Sequence, residues 1–358
     1  MPQKLHTCAR EACPNQCPVK NKYCSPDCLA QSKINPQELK RVKTEERLVE
    51  RFETYLKAHP AKTIKVAPTC RSPNNRKASS HEMVLLMSDA HFSEQVDPET
   101  AMGIVYNEGI SQRRLEHMRD VTIRYKDLRA EAFPIQKLTV AVLGDMLSGD
   151  IHEELEVTNE NTTPVALVRL AYILHGVFSS FVPEFEAVEV IFIPGNHPRT
   201  KAKPRFKQKT TVNFEYILGH FVAALAQDTY QVQVPKDMVH VHQVFDWRIG
   251  MTHGDGVKSN SFAGIPFYGM RQRREAVQAL LRHLGQPQLD YLAMGHFHQP
   301  MVWEGCDSTI ILNGAIKGGD EYSIGNYLSS NNPVQYLLTF HEKHGITDYS
   351  RINLKDVV

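Results

Sequence analysis

Four short apolar runs constrain this chain most: MVLLMS (83–88), LTVAVLG (138–144), VEVIFIPG (188–195) and LDYLAMG (289–295). Each closes in Gly or Ser and most carry β-branched residues, so they read as strands. Between and after them the apolar spacing becomes helical, over Gln112–Glu131, Val165–Phe181, Asn213–Ala226 and Arg271–Leu284. MVHVHQVFD, WRIGMTHGD, STIILNG and VQYLLTFH add further strands. Strand–helix alternation followed by strand-rich segments predicts an α/β domain, two packed sheets flanked by helices, over residues 81–358.

The polar residues that stand out fall directly after strands. In order they are Ser88-Asp89-Ala90-His91, Gly144-Asp145, Gly195-Asn196-His197, His253-Gly254-Asp255 and Gly295-His296-Phe297-His298. Loops at the carboxyl ends of strands in an α/β sheet open onto one crevice, so these fragments can share a site. Imidazole nitrogens with carboxylate and amide oxygens suit metals of intermediate softness such as Mn, Fe or Zn. Any one fragment alone reads as a turn with a surface histidine. Five in series, each at a predicted strand end, do not.

That order resembles the signature of the calcineurin-like metallophosphoesterase superfamily, across residues 89–298. The resemblance implies a four-layer α/β/β/α sandwich and two divalent ions. Asp89, His91, Asp145 and His298 would hold one, and Asp145, Asn196, His253 and His296 the other, with Asp145 bridging. Two such ions lower the pKa of a bridging water for in-line attack on phosphorus. His197 resembles the family's catalytic histidine, which protonates the leaving oxygen. The family usually follows Gly–Asn–His with Asp or Glu, whereas Pro198-Arg199 follows here. The orienting partner of His197 is thereby left open among Asp150, His152 and Glu153. Ser148 and Gly149 stand where protein phosphatases carry a second Asp and an Arg, which weakens that reading. The stretches 144–155, 195–204 and 313–322 look like phosphoesterases of bacteriophages and prophages.

The remaining signals concern substrate and partners. RTKAKPRFKQK (199–209) places six cations among eleven residues directly after the Gly–Asn–His motif. Arg199, Lys201, Lys203 and Arg205, with His152, are the candidate substrate-binding residues, and a polyanion gripped there would bind with steep salt dependence. Five of the seven cysteines fall in a stretch of 21 residues near the N-terminus. In a reducing compartment such a cluster reads as a metal site. It resembles a treble-clef module with Cys8, Cys13, Cys24 and Cys28 around one structural Zn, Cys17 being the alternative for either early position. This predicts a zinc module over residues 1–32, then an amphipathic helix (35–58) and linker within 33–80, then the catalytic domain.

A net charge of +1 gives no global attraction to nucleic acid, so any contact must be local. No apolar run is long enough to cross a membrane, and the first residues lack a signal-peptide core, so a cytoplasmic protein is expected. The expected activity is that of a metal-dependent DNA nuclease or phosphodiesterase, Mn being the expected ion and Fe, Zn or Ni the alternatives. The alternatives in function are a phosphodiesterase for cyclic or dinucleotide substrates and, in another class, a DNA-binding or scaffold protein with a vestigial metal site. The expected partner is DNA, with a second copy or another protein as alternative partners of the N-terminal module.

Overall fold

The computed structural model describes residues 5–7, 16–18, 79–203, 206–257, 266–327 and 330–358. The chain divides into two compact units, Met1–Asn75 and Arg76–Val358. In the first, strand β1 (Leu5–Thr7) pairs antiparallel with β2 (Gln16–Pro18). Cys17 lies in β2. Cys8, Cys13, Cys24 and Cys28, the helix expected over 35–58 and the linker up to residue 78 lie outside the described residues.

The second unit contains two sheets. The larger has six strands: β3 (His81–Met87), β4 (Ile135–Val142), β5 (Ala187–Phe192), β6 (Gln231–Gln233), β12 (Val334–His341) and β13 (Gly345–Asn353). Their order is β13-β12-β3-β4-β5-β6, parallel from β3 to β6, with β12 and β13 antiparallel. The smaller has β7 (His240–Val244), β8 (Trp247–Thr252), β9 (Tyr291–Met294), β10 (Met301–Trp303) and β11 (Thr309–Leu312), in the order β10-β11-β9-β8-β7. Here β8, β9 and β11 are parallel, and the two edge strands run antiparallel to them.

Alternation along the strands builds the layers, because successive side chains point to opposite faces. Met83, Leu85 and Met87 of β3, with Leu138, Val140 and Val142 of β4, form the outer face of the larger sheet. They pack against three helices: α1 (Glu108–Ala130) through Leu115 and Met118, α3 (Thr163–Ser179) through Leu170 and Leu174, and α4 (Phe214–Ala226) through Leu218 and Val222. Val84, Leu86, Ala141 and Ile191 point the other way and meet Ile249, Met251, Ala293 and Ile311 of the smaller sheet. The outer face of that sheet (Leu292, Met294, Ile310, Leu312) packs on α5 (Phe267–His283) through Met270, Val277 and Leu281. The order of layers is therefore α/β/β/α.

Boundaries differ from the expected ones for local reasons. Helix α1 begins four residues before Gln112 because the Asn107 side chain accepts the Ile110 N–H at 2.8 Å, capping it there. Helix α3 carries Pro164 in its first turn, where a missing N–H leaves no bond unmade. Strand β13 has no counterpart among the strands expected from the apolar runs. Its Thr347, Asp348, Ser350 and Arg351 belong to an edge strand with little apolar alternation. The short strands β6 and β10 and the short helices α2 (Glu153–Thr158) and α6 (Glu321–Tyr327) likewise have no counterpart among the expected elements.

One polar cluster sits inside the sandwich. His242 of β7 is buried, 3.3 Å from the Thr139 hydroxyl and 3.9 Å from the Glu189 carboxylate, which Lys137 also contacts. Burial depresses the His242 pKa to about 4, against the pull of Glu189. The unfolded imidazole titrates near 6.5, so between about pH 6.5 and 4 the unfolded chain binds more protons and stability falls as pH falls. We expect a loss on the order of 1–3 kcal/mol across that window, at 1.36 kcal/mol per unit. Urea unfolding at pH 7 and pH 4.5 checks it: the difference should shrink in His242→Gln.

Candidate metal centre

The donors arise where β3, β4, β5, β8 and β9 end, all at one edge of the two sheets. Their loops turn sharply. Among the described residues ten non-glycines have positive φ, and Asp89 (56°), His91 (45°), Asp145 (51°), His296 (69°) and His298 (56°) are five of them. Left-handed backbone in L-residues is disfavoured and gathers at sites where neighbours enforce it. Close approach adds to this. A Cβ on Gly195 would lie 2.1 Å from Asp145 Oδ1, and one on Gly295 2.6 Å from Asp89 Oδ2, so only glycine lets these strand ends come so near the carboxylates.

The side chains form three overlapping groups: Asp89, His91 and His298; His91, Asp145 and His197; and Asp145, His253 and His296. Within each, the donor atoms lie within 4.8 Å of one another. Nε2 of His91 faces Nε2 of His298 at 3.3 Å, and His298 Nε2 is 3.3 Å from Asp89 Oδ1. His253 is more telling. Its Nδ1 donates to the Leu143 carbonyl at 2.7 Å, which fixes the tautomer. Nε2 then faces Asp145 Oδ2 (2.9 Å) and Asn196 Oδ1 (3.1 Å). Nε2 between two oxygens holds a proton there unless a cation takes its place, and one imidazole nitrogen converging with two oxygens is a donor set that fits a divalent cation. The Asp89 carboxylate is further fixed by the His296 N–H, 3.1 Å from both oxygens.

Charge follows this geometry. Burial, with Lys317 nearby, holds the His91 pKa well below the imidazole range. Burial and the neighbouring His253 hold that of His296 at about 4. Neutral imidazole is the ligating form. His253 goes the other way: burial opposes its charge, but the Asp145 carboxylate prevails and raises it to about 10. Burial likewise opposes the charge on Asp145, yet His253 and His197 hold its pKa well below the carboxylate range.

His197 belongs to the group that links the other two through His91 and Asp145. Its N–H donates to Asp145 Oδ1 at 2.8 Å, and its ring meets that of His91 edge-on, 4.5 Å between centroids. Its Nδ1 donates to the backbone carbonyl of Ser148 at 3.2 Å. Neither Asp150 nor Glu153 makes that bond. The exposed His152 meets His197 through a tilted ring contact, 5.6 Å between centroids. The ring is thus held by a main-chain acceptor and by none of the three candidate side chains.

The basic loop is divided in its employment. Arg199 donates to the carbonyls of Asn196 (2.8 Å) and Ala202 (2.8 Å), bracing its own loop. Lys209 pairs with Asp255 at 2.6 Å, anchoring the far end beside His253. Lys201 and Lys203 are exposed, and Arg205 lies outside the described residues.

Several supporting residues escaped sequence reasoning. Glu215, buried in the first turn of α4, accepts from the N–H of Gly195 at 2.6 Å and from those of Met146 and Leu147, joining two donor loops. Burial and Asp145 push its pKa up to about 8. Asn213, which caps α4, also donates to the Gly195 carbonyl at 2.8 Å. Beneath Asp89, the buried amides of Asn313 and Gln335 bond to one another at 2.7 Å and to Ser88. Only the Asn-x-Glu start of α4 carried a local signal, that of a capped helix.

No protein-family model and no curated protein matches this chain. Solved structures do match. Vacuolar protein sorting 29 from Cryptosporidium parvum is 14% identical, over 76% of this chain and 98% of that one, with a TM-score of 0.33. A novel archaeal phosphodiesterase is 11% identical, over 76% and 99%, with a TM-score of 0.32. A predicted phosphoesterase from Streptococcus pneumoniae is 10% identical, over 76% and 98%, with a TM-score of 0.28. At such identities and TM-scores these likenesses carry no statement about what this chain does.

Proposed function

We propose that the chain is a phosphoester hydrolase working with two divalent cations, and that its substrate is DNA, cut at a phosphodiester. The observation that carries this reading is the meeting of overlapping Asp/His groups that share Asp145 and His91, with His253 Nε2 facing two oxygens. Asp89, His91 and His298 would hold one cation, and Asp145, Asn196, His253 and His296 the other, Asp145 being shared. Cations bound there supply Lewis acidity toward phosphoryl oxygens and an acidified water. Mn is the ion we expect among Mn, Fe, Zn and Ni, whose choice by such ligands follows availability as much as affinity.

His197 then carries a proton to the leaving oxygen. Its Nδ1 is committed to Ser148, so Nε2 is the atom left for that transfer. Lys201 and Lys203 stand exposed on the loop that follows His197, where they can meet substrate phosphates. The zinc reading of Cys8, Cys13, Cys24 and Cys28, and a role for that segment in contacting DNA or protein, belong to the same proposal. No described helix is long and apolar enough to cross a membrane.

The test is a substrate comparison with the purified full-length protein and Mn. Single- and double-stranded DNA, cyclic dinucleotides and an aryl phosphodiester are assayed side by side. Cleavage of DNA that falls steeply with salt is the expected result. Turnover confined to cyclic dinucleotides and the aryl ester would remove the nuclease reading. No turnover with any divalent metal would remove the enzyme.

A further inference from the structure

The stretch Lys317-Gly318-Gly319-Asp320 plays no part in the site as described, yet it lies against it. Ile316 and Lys317 donate backbone N–H groups to the Asp89 carbonyl at 3.1 and 3.2 Å. Lys317 is 3% exposed; its ammonium donates to Glu94 Oε1 at 2.7 Å and to Asp320. Arg114 donates to the carbonyls of Ile316 and Lys317 at 2.8 and 2.6 Å, fixing the segment from behind. Glu94, 5% exposed, stands one turn after His91 and bonds back to it, N–H to the His91 carbonyl, at 3.0 Å.

Two buried polar atoms here have no hydrogen-bond partner: His91 Nδ1 and Glu94 Oε2. They face each other at 3.5 Å. The other nitrogen of His91, Nε2, points into the donor group at His298. A carboxylate on the far side of an imidazole whose near side meets a cation fixes the ring's tautomer and raises its donor strength. The charges point the same way. Two carboxylates around one ammonium leave one negative charge in excess, buried beside a site whose cations would balance it.

We propose that Glu94 is a positioning residue for the metal centre: its Oε2 accepts the Nδ1 proton of His91, and Lys317, held in turn by Asp320, keeps it aimed. This rests on the two-cation reading above. A cation held at Nε2 would make the Nδ1 proton a stronger donor toward Glu94 Oε2, which stands 3.5 Å away.

The experiment uses the full chain and two variants, Glu94→Gln and Glu94→Asp. Removing the Glu94 charge leaves Lys317 neutralised by Asp320, so Glu94→Gln should fold, as thermal melting would report. Glu94→Asp keeps the charge for Lys317 but withdraws from His91, and serves if the first variant does not fold. Calorimetric titration with Mn should show two cations bound in the parent. In the variants one of them should be weakened about 10–100-fold, the usual effect of losing such a partner. With Zn as a diamagnetic probe, nitrogen-resolved NMR should show a slowly exchanging His91 Nδ1 proton in the parent, exchanging faster in Glu94→Gln, whose neutral amide oxygen is the weaker acceptor, and in Glu94→Asp, whose carboxylate is withdrawn. Unchanged affinity for both cations in a folded variant overturns the role of Glu94 and leaves the hydrolase reading standing. A parent that binds no divalent cation overturns both.

Discussion

Asp145→Asn is expected to remove turnover down to the level seen with a chelator and to weaken both cations together. The side chain belongs to two of the three donor groups at once. Its Oδ2 pairs with His253 at 2.9 Å and its Oδ1 accepts the His197 N–H at 2.8 Å. An amide preserves the shape and the contact with His197 but removes the charge that a shared ligand contributes between two cations. Loss of several kcal/mol of transition-state stabilisation corresponds to a fall of about 10³-fold or more at 1.36 kcal/mol per decade. Calorimetry with Mn and an assay on the proposed DNA substrate measure the two effects separately. If one cation stays at parental affinity, Asp145 is not shared, and the centre consists of two independent sites.

His197→Ala should separate chemistry from binding. The proposed proton transfer predicts turnover down by about 10²–10⁴ with the number of bound cations unchanged. The structure gives this experiment a sharper edge, because His197 also falls within donor range of His91 and Asp145. Should the variant lose a cation, His197 is a ligand and the proton must come from elsewhere, His152 being the neighbouring imidazole. A substrate whose leaving group needs no protonation, such as a nitrophenyl ester, should largely restore the rate if His197 is the acid. It should restore nothing if His197 is a ligand.

The seven expected donors all fall within four residues of a strand end, where alternation and a terminal Gly or Ser mark the turn, and six of them enter the overlapping Asp/His groups. The parallel strands β3, β4 and β5 were legible from the same marks. What the sequence hid was support supplied from a distance. Glu94 and Lys317 are 223 positions apart, and Glu215 meets Met146 from 69 positions away. No local period records such pairings. The Ser148 carbonyl that holds His197 is invisible in principle, since any residue has a main-chain oxygen. Arg199 shows the converse: its place in a basic run spoke for a ligand contact, while its guanidinium bonds the carbonyls of its own loop.

The left-handed backbone at Asp89, His91, Asp145, His296 and His298 bears on the scaffold alternative. Each such residue destabilises the fold by on the order of 1–3 kcal/mol relative to an unstrained conformation. Glycine would relieve that strain at all five positions. This chain instead keeps an ionisable or ligating side chain at every one of the five. Strain concentrated on ligating side chains therefore supports the proposed hydrolase over the scaffold alternative.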